Sequence, residues 1–405
     1  MASGASAVAE PGWLAARRER AAVLTGELGL PSFKGTPGWE FTELKGLELD
    51  AFERAAGNSP APSDVLLEPP AGVPEGAVVM PLDEAASSDE YAPIVEEHFG
   101  KIVPRTDIDP FVARNEAEFA GGAFIYVPRG VRVEVPIAVT ATVLAGEALN
   151  WRTMIVVEEG AEAEVWEQYL SAEPEGEGLL NTVVEIVVGE NANLHYVCGQ
   201  QLNDESWMFG TQRAEVGKHG SLDWAAIGFG GKNGKVRMET KLAGEGADAK
   251  VTGAYAGMGR QHLDFDTTQE HAAPHTTSDL AFRGVLQNRG SAVWRGMIKV
   301  DVGAQQTDAF QESRNLLLSK RAHADAIPGL EIEANDVRCT HAAAIAQIDR
   351  DQLFYLMSRG LPREAATRLV IEGFLQELVQ RFAEGPVREV VGGALERRLD
   401  ELLAA

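Results

Sequence analysis

Residues 160–165 read GAEAEV, and three similar hexapeptides follow: GENANL at 189–194, GKHGSL at 217–222 and GEGADA at 244–249. Each begins with glycine, has alanine or glycine fourth and an apolar residue sixth, and the first glycines lie 29, 28 and 27 residues apart. A glycine allows a tight turn, a small residue fits a crowded corner, and the apolar residue can begin an inward-facing row. A nearly constant period of this length is typical of stacked repeats. The sequence therefore favours a β-helix, or β-solenoid, over an antiparallel sandwich with turns at similar spacing.

Strand patterns extend on both sides of these repeats. Residues 124–128, FIYVP, are rich in strand-forming types, and Val131, Val133 and Val135 then alternate with charged residues. A period of two is typical of a strand with one buried face. Short segments of this kind continue to about Ile348 without a convincing long helix. We therefore expect a mainly β core.

Both ends of the chain are expected to contain helices. Residues 1–30 have a loose apolar face and a basic face, and residues 57–90 have the Ala, Pro, Gly, Ser and Asp content of a loosely ordered connection. After Asp349, which can cap a helix, three helices are predicted, divided at Gly360 and at residues 385–386. The predicted parts are an N-terminal helical or mixed region with a flexible connection (1–110), the β core (111–348) and a C-terminal helical region (349–405).

Composition narrows the functional classes. The 405 residues carry a net charge of −25 and are 45% hydrophobic, so a packed protein that avoids the phosphates of nucleic acid is expected. No run of 18 apolar residues predicts a membrane helix, and residues 1–13 lack the basic residue and apolar segment of a signal peptide. With two cysteines only, Cys198 and Cys339, the chain fits a reducing cytoplasm better than a secreted disulfide scaffold.

The sequence lacks the common motifs of nucleotide-binding and hydrolytic enzymes. Residues 228–235, GFGGKNGK, are glycine-rich but lack the spacing of a Walker A loop. There is no nucleotide-binding Gly-x-Gly-x-x-Gly, no Gly-x-Ser-x-Gly, no His-Glu-x-x-His and no Cys-x-x-Cys. We therefore predict that the chain is not an enzyme, and that any ATP chemistry belongs to a partner.

One segment concentrates histidine and acidic residues that could bind a divalent metal. Its members are His262, His271, His275, Asp264, Asp266 and Glu270. The alternative is a polar, hydrogen-bonded surface on adjacent turns. Strand spacing is unlike the helical His-x-x-x-His arrangement, so the surface interpretation is favoured.

Cys339-Thr340-His341 is a sharper candidate site. On a strand, Cys339 and His341 would project from the same face, about 7 Å apart. A thiolate beside an imidazole suits iron or zinc, and His341 could lower the pKa of the thiol. Two ligands do not complete a tetrahedral site, so a partner chain would supply the rest. A buried Cys339 that packs as a small hydrophobe is an equally good interpretation; Cys198, in an apolar strand, is predicted to be core.

The second C-terminal helix has a long apolar stripe. Its members are Leu369, Val370, Phe374, Leu378 and Phe382. Such a stripe must pack against something, and the candidates are the β body or another protein.

Ordered pieces over most of the chain resemble the SufB/SufD family of the SUF iron–sulfur cluster assembly system. They are QHLD (261–264), PHTTSD (274–279), AQQTDAFQ (304–311), RNLLLS (314–319), PGLEI (328–332), DVRCTH (336–341) and LFYLMSRG (353–360), with GAFIYVPRGV (122–131), LPSFK (30–34) and WEFT (39–42) upstream. The Cys-x-His pair is similar to the SufD branch, whereas SufB typically has a His with flanking Glu there and often extra cysteines. One departure is Ala342-Ala343-Ala344 in place of the more usual Gly-Ala-Thr, which could alter local backbone freedom.

This resemblance implies a right-handed parallel β-helix core with helical terminal parts. It also implies a heterodimer with a SufB-like subunit through the β-helix, and SufC-like ATPases docked on the C-terminal helices, where Leu369, Phe374 and Leu378 are the candidate partner-binding residues. A transient iron–sulfur cluster shared with the partner would form near the heterodimer interface. His341 and its neighbour Cys339 are the candidate ligands of iron or of the nascent cluster.

The sequence is also compatible with other functions. One is a solitary β-helical enzyme, carbohydrate-active or metal-dependent, that uses His262, His271 or His275. Another is a pure assembly subunit in which Cys339 and His341 are structural. A homodimer in isolation is also compatible with the sequence.

Overall fold

The fold is that of a computed structural model, which describes residues 10–72 and 74–404. Within those residues the chain passes back and forth between two sheets, so that strands β3 to β18 alternate between them. The first sheet contains β1 (Glu53–Arg54), β2 (Val78–Pro81), β3 (Gly121–Val127), β5 (Glu147–Val157), β7 (Leu179–Val188), β9 (Trp207–Val216), β11 (Asn233–Leu242), β13 (His262–His271), β15 (Ser291–Val300) and β17 (His323–Ile332). The second contains β4 (Ile137–Val143), β6 (Glu162–Ser171), β8 (Asn193–Gln201), β10 (Ser221–Gly228), β12 (Asp248–Gly257), β14 (Thr277–Leu286), β16 (Thr307–Leu317) and β18 (Val337–Gln347).

Successive turns stack in parallel and in register, which confirms the predicted parallel β-solenoid. Leu194 pairs with Leu222, and Leu222 pairs with Ala249. The only antiparallel strand pair among the described residues is β2 with β3, at the N-terminal end of the first sheet. The repeat seen in the sequence is therefore the period of one solenoid turn.

The first hexapeptide is two residues out of register with the other three. Ala163, not Val165, pairs with Leu194, so the true spacing at this step is longer than the sequence suggested. The cause is that glycine serves two purposes in these corners. Gly160 adopts a positive φ of 67°, whereas Gly244 lacks a side chain because a Cβ there would lie 2.1 Å from the Lys218 nitrogen of the preceding turn.

Aromatic side chains fill the distal part of the solenoid interior. Tyr255 stacks on Phe265 with ring centroids 5.4 Å apart, and Phe282 lies 6.3 Å from Trp294. Glycine makes room for these rings, since a Cβ on Gly253 would lie 2.2 Å from the ring of Phe282. The core is thus fitted to particular side chains and not only apolar.

Helices cover the outer faces of both sheets. Four precede the solenoid and three follow it in the described residues: α1 (Gly12–Glu27), α2 (Leu82–Ser87), α3 (Ala92–His98), α4 (Pro110–Glu118), α5 (Arg350–Ser358), α6 (Arg363–Val379) and α7 (Pro386–Ala404). The helices predicted at both ends are confirmed, although residues 1–9 of the first prediction lie outside the described part.

The N-terminal helices pack on the first sheet around a fully buried ion pair. Arg152 Nη2 lies 2.7 Å from Glu185 Oε2, and neither side chain is exposed. Glu185 also accepts hydrogen bonds from the backbone N–H groups of Gly100 and Val103. The ion pair joins β5 and β7 of this sheet, and each charge would be buried without compensation if the other were lost. The hydrogen bonds from Gly100 and Val103 to the same carboxylate hold the N-terminal region against the sheet.

The C-terminal helices α6 and α7 pack on the second sheet. Buried Arg398 of α7 donates hydrogen bonds to the carbonyl oxygens of Phe229 and Ala256 in the solenoid. The side chain of Asp349 caps α5, as predicted, by accepting a hydrogen bond from the backbone N–H of Asp351 at 2.8 Å. Within the N-terminal part, the segment 57–90 differs from the expectation of loose order, because its last part forms β2 and α2 against β3. The three-part division at residues 110 and 348 stays a prediction.

Candidate functional site

The solenoid ends in two strands that have a neighbour on one side only. These are β17 in the first sheet and β18 in the second. Their outer edges present backbone N–H and C=O groups that no further strand of the described chain pairs with. Apolar side chains at Leu330, Ile332 and Ile345 are exposed on the same two strands. We call this end of the solenoid, formed by β17 and β18, the open end. Its unpaired sheet edges and exposed apolar residues are typical of an interaction surface.

Cys339 and His341 both lie on β18 at this open end. Cys339 pairs in register with Ala309, and His341 pairs with Gln311. Ala309 and Gln311 are fully buried positions of the preceding turn, so the cysteine and the histidine project toward the solenoid interior. The prediction that they share one face of a strand is confirmed. Cys339 is half-buried and His341 is exposed, because no further turn covers them.

The thiol of Cys339 packs against an apolar group. Cys339 joins a cluster that contains Ile298, Val300, Ala304 and Ala309. Burial raises the pKa of the Cys339 thiol, and the negative charge of Asp308 raises it further. The expectation of a pKa lowered by His341 is therefore not met, since burial and Asp308 are the causes of the shift and both raise the pKa.

The described residues contain no group of three or more His, Cys, Asp or Glu side chains that could hold a metal ion. Cys339 and His341 are two donors, one soft and one borderline. A tetrahedral iron or cluster site built on them would need two donors from elsewhere. The geometry can thus contribute half of a coordination shell at a surface where another chain could contribute the other half.

The three histidines of the 261–279 segment lie in different environments. His271 is fully buried, and its two ring nitrogens lie 2.8 Å from Thr276 Oγ1 and 2.9 Å from Ser278 Oγ. Burial lowers the pKa of His271 to about 4. His262 hydrogen-bonds Ser291 Oγ at 2.9 Å, and burial lowers its pKa as well.

The rest of this segment is also used within the chain. His275 is exposed in a turn with a φ of 60°. Asp264 is buried and lies 2.9 Å from Lys235 Nζ, whereas Glu270 pairs with Arg213. Asp266 lies 3.6 Å from Lys235 Nζ. These contacts agree with the hydrogen-bonded arrangement of the favoured interpretation, but its placement on the surface is wrong for His271 and Asp264, which are buried.

Cys198 is buried inside the solenoid, as predicted. Gln212 Nε2 lies 3.2 Å from its sulfur. Burial, followed by the charge of Glu167, raises the pKa of the Cys198 thiol to about 12. A buried thiol with so high a pKa is a poor nucleophile and a poor metal ligand.

The predicted partner-binding stripe on α6 is divided between core and surface. Leu378 is 1% exposed and packs with Ala281 and Val285 of the solenoid, so a partner cannot reach it in this structure. Phe374 is partly buried against the same cluster, and Leu369 is 48% exposed. The assignment of Leu378 as a surface contact is therefore corrected to a core contact.

Exposed apolar residues on α5 were missed in the sequence. Phe354 is 72% exposed, and Tyr355 and Met357 are also exposed. We use the name α5/α6 apolar group for these three residues and the exposed Leu369 of α6, the helix that contacts α5. The sequence contained a signal for it, since Leu353, Phe354, Leu356 and Met357 are too many apolar residues for one buried helical face. In the described residues no helix is both long and apolar enough to cross a membrane.

Two protein-family descriptions match the chain. "SUF system FeS cluster assembly, SufBD core domain" matches residues 140–374, and "SufBD protein N-terminal region" matches residues 66–139. The first match includes nearly the whole solenoid together with α5 and most of α6. The second includes β2, β3 and helices α2 to α4.

Individual relatives agree with these matches. "Iron-sulfur cluster assembly protein SufD" of Bacillus subtilis is 32% identical over 319 residues, which cover 78% of this chain and 73% of that protein. "Iron-sulfur cluster assembly protein SufB" of the same organism is 30% identical over 310 residues, which cover 76% of this chain and 66% of that protein. An "Iron-sulfur cluster assembly SufBD family protein" of Staphylococcus haemolyticus is 29% identical with the same coverage.

Proposed function

The chain belongs to the SufB/SufD family of iron–sulfur cluster assembly proteins and is most like SufD, and on this premise we propose that it is a scaffold subunit without ATPase activity in a SUF complex. Its partners in this proposal are a SufB-like subunit and a SufC-like ATPase. The substrate is the nascent iron–sulfur cluster, which is bound transiently and passed on. The cytoplasm is the compartment that this proposal implies, and the two unbridged cysteines suit it.

The position of His341 at the open end of the solenoid carries this proposal. His341 and Cys339 face inward on the terminal strand β18, whose outer edge has no strand beside it. A SufB-like solenoid that met this end would cover the apolar residues Leu330, Ile332 and Ile345 and bring its own donors near His341. Cluster formation would then require both chains, because neither would hold a full ligand set alone.

Docking of the ATPase is proposed on the α5/α6 apolar group. Phe354 and Tyr355 are large side chains that lose contact with water when covered, and aromatic residues commonly dominate binding energy at interfaces. Leu369 extends this surface onto α6, whereas Leu378 and part of Phe374 anchor α6 to the second sheet. Movement of the ATPase would thus be transmitted to the solenoid through α6 and α7.

A pure assembly role without metal contact is the second candidate. It is favoured by the apolar surroundings of Cys339 and the raised pKa of its thiol, which disfavour the thiolate that iron needs. Under this alternative His341 would shape the interface and no atom of this chain would bind iron. The two candidates predict different cluster yields for a His341 variant: a lower yield if His341 binds the cluster, and an unchanged yield if it does not.

Anaerobic purification of a tagged chain from its native cell tests the proposal. The expected result is that a SufB-like protein and an ATPase co-purify with the chain, and that the complex carries iron and acid-labile sulfide. The chain alone should not hydrolyse ATP. Purification of the chain without either partner, under conditions in which the SUF proteins are expressed, would argue against the complex.

A further inference from the structure

A buried glutamine lies directly behind His341. Gln311, on β16, is the register partner of His341 on β18, and its side chain is 0% exposed. Register partners in adjacent parallel strands point to the same side and lie about 4.8 Å apart. Gln311 is therefore the side chain of the preceding turn that is placed beneath the imidazole.

The orientation of the Gln311 amide is fixed by its contacts. Its Nε2 donates to the carbonyl oxygen of Gly329 at 3.0 Å and to that of Gly296 at 3.3 Å, both in the opposite sheet. Carbonyl oxygens accept but cannot donate, so the atom that faces them must be the nitrogen. The other end of the amide, Oε1, is then necessarily an acceptor.

This acceptor is buried and has no partner among the described residues. Native proteins rarely leave such an atom unpaired, and an unpaired one calls for an explanation such as a ligand or a missing donor. Gly296 marks where Oε1 lies, because a Cβ on Gly296 would approach it to 2.5 Å. The floor of the open end thus contains one oriented, unsatisfied acceptor.

Two N–H donors are candidates for this acceptor: that of Trp294 on β15 and that of His341, the register partner of Gln311. Trp294 Nε1 is also buried and donates to no acceptor of the described residues, although Cζ2, which is bonded to the carbon that bears Nε1, is among the indole atoms nearest Gly296. Trp294 is fully buried and cannot turn without displacing its neighbours. His341 is exposed at the open end, so its ring is not confined by packed neighbours on all sides. The histidine is therefore the better donor.

We propose that Gln311 is a positioning residue for His341: its Oε1 accepts a hydrogen bond from His341 Nδ1–H and so leaves the lone pair of Nε2 directed out of the open end. A histidine that binds a metal through one nitrogen usually donates its other N–H to an acceptor in this way, which fixes both the tautomer and the ring orientation. The value of this arrangement for cluster assembly rests on the proposed function; the hydrogen bond itself does not.

The tautomer of His341 in the isolated chain tests the contact without iron or partner. The chain is labelled with 15N-histidine, His341 is assigned with the His341→Ala variant, and two-bond proton–nitrogen correlations are recorded at neutral pH. We expect the Nδ1–H form to dominate in the wild type. In Gln311→Met the ratio of the two tautomers should move by about tenfold toward the Nε2–H form, the change expected when one hydrogen bond is lost.

Gln269→Met is the matched control, because Gln269 is also buried with an unpaired Oε1 but lies on β13, away from His341. It should leave the His341 tautomer unchanged. If Gln311→Met fails to fold, the wild-type spectrum still decides, since a dominant Nε2–H form would overturn the proposal. A shift of the Trp294 indole N–H signal in Gln311→Met with an unchanged His341 would assign the acceptor to Trp294 and also overturn it. Failure here would leave the proposed function standing, and loss of the proposed function would leave this hydrogen bond standing.

Discussion

Cys198 and Cys339 face the interior of the solenoid from the second sheet, but Cys198 is buried, with 7% of its surface exposed, whereas Cys339 is only half-buried. They lie on β8 and β18, which are five strands apart in that sheet. Every strand between them adds a layer over Cys198, whereas no strand of the described chain lies beyond β18, which carries Cys339. Position along the solenoid therefore decides which thiol is available for chemistry.

Thiol accessibility gives the first prediction. In the native chain a water-soluble thiol reagent should modify one cysteine, and Cys339→Ser should abolish that reaction. The reaction should be slower than with a free thiol and should speed up as pH rises, because the pKa of Cys339 is raised by burial. Cys198 should react only after denaturation. Rapid modification of two thiols in the folded chain would show that the interior is open.

The pH dependence of stability gives the second prediction. Burial lowers the pKa of His271 from 6.5 to about 4. The unfolded chain therefore takes up a proton between these values that the folded chain does not, so the stabilising contribution is complete above pH 6.5 and is lost as pH falls toward 4. The loss should reach about 3 kcal/mol. Urea unfolding over this range should show a shallower pH slope for His271→Gln than for the wild type.

The control for this experiment is His275→Gln. His275 is exposed in the neighbouring turn, so its removal should leave the slope as it is in the wild type. Equal slopes for His271→Gln and the wild type would mean that acid destabilisation arises elsewhere, for example at the many carboxylates.

The fit of the aromatic core gives the third prediction. Gly253→Ala would place a Cβ 2.2 Å from the ring of Phe282, so the ring must move within a packed interior. The free energy of unfolding should fall by about 1–3 kcal/mol. Gly373→Ala is the matched control: nothing lies within 4 Å of a Cβ at that exposed position of α6, and alanine should be neutral or stabilising there. Denaturant unfolding of the two variants provides the comparison.

The sequence predicted the architecture because the spacing of the corner glycines is close to the number of residues in one solenoid turn. It could not predict the register of the first repeat, since a glycine at a positive φ such as Gly160 looks the same in the sequence as one that avoids a neighbouring backbone, such as Gly244. Only the pairing of β6 with β8 in the folded chain distinguishes these two uses of glycine.

At the candidate site, side chains alternate between the two faces of a strand, and this alternation correctly predicted that Cys339 and His341 share one face. Their surroundings come from the preceding turn, about thirty residues earlier, where Ala309 and Gln311 make one half of the site apolar and the other polar. An apolar stripe such as that of α6 predicts burial but not which neighbour covers it, so the sequence does not distinguish the buried Leu378 from the exposed Leu369.

ATPase docking gives the fourth prediction. Phe354→Asp should weaken co-purification of the SufC-like ATPase by about tenfold or more, because an exposed aromatic anchor would be replaced by a charge that must be desolvated on binding. Val23→Asp is the control, since Val23 is exposed on α1, far from α5 in the chain. Leu378→Asp should instead unfold the C-terminal helices. Normal ATPase binding by a folded Phe354→Asp variant would move the docking site away from the α5/α6 apolar group.

The role of His341 gives the last prediction. His341→Ala should leave the solenoid and the three-protein complex intact, because the side chain is exposed and its removal creates no cavity. Cluster yield should nevertheless fall by about tenfold or more, since a site shared by two chains loses one of its few donors. Cys339→Ser should have an equal or weaker effect, because a thiolate of the partner could replace a thiol whose pKa is already raised. Complexes are isolated without oxygen, their composition is checked first, and iron, sulfide and absorbance are then measured.

His323→Ala controls for the loss of an exposed imidazole at the same end of the solenoid. His323 lies at the start of the other terminal strand, β17, and is hydrogen-bonded to Asp325 at 3.1 Å, so its removal should leave cluster yield unchanged. Equal losses in His323→Ala and His341→Ala would point to a general disturbance of the interface. A full cluster yield from an intact His341→Ala complex would show that this chain supplies no essential ligand, and the pure assembly role, with Cys339 packed against Ala309 as part of the core, would then be the better account.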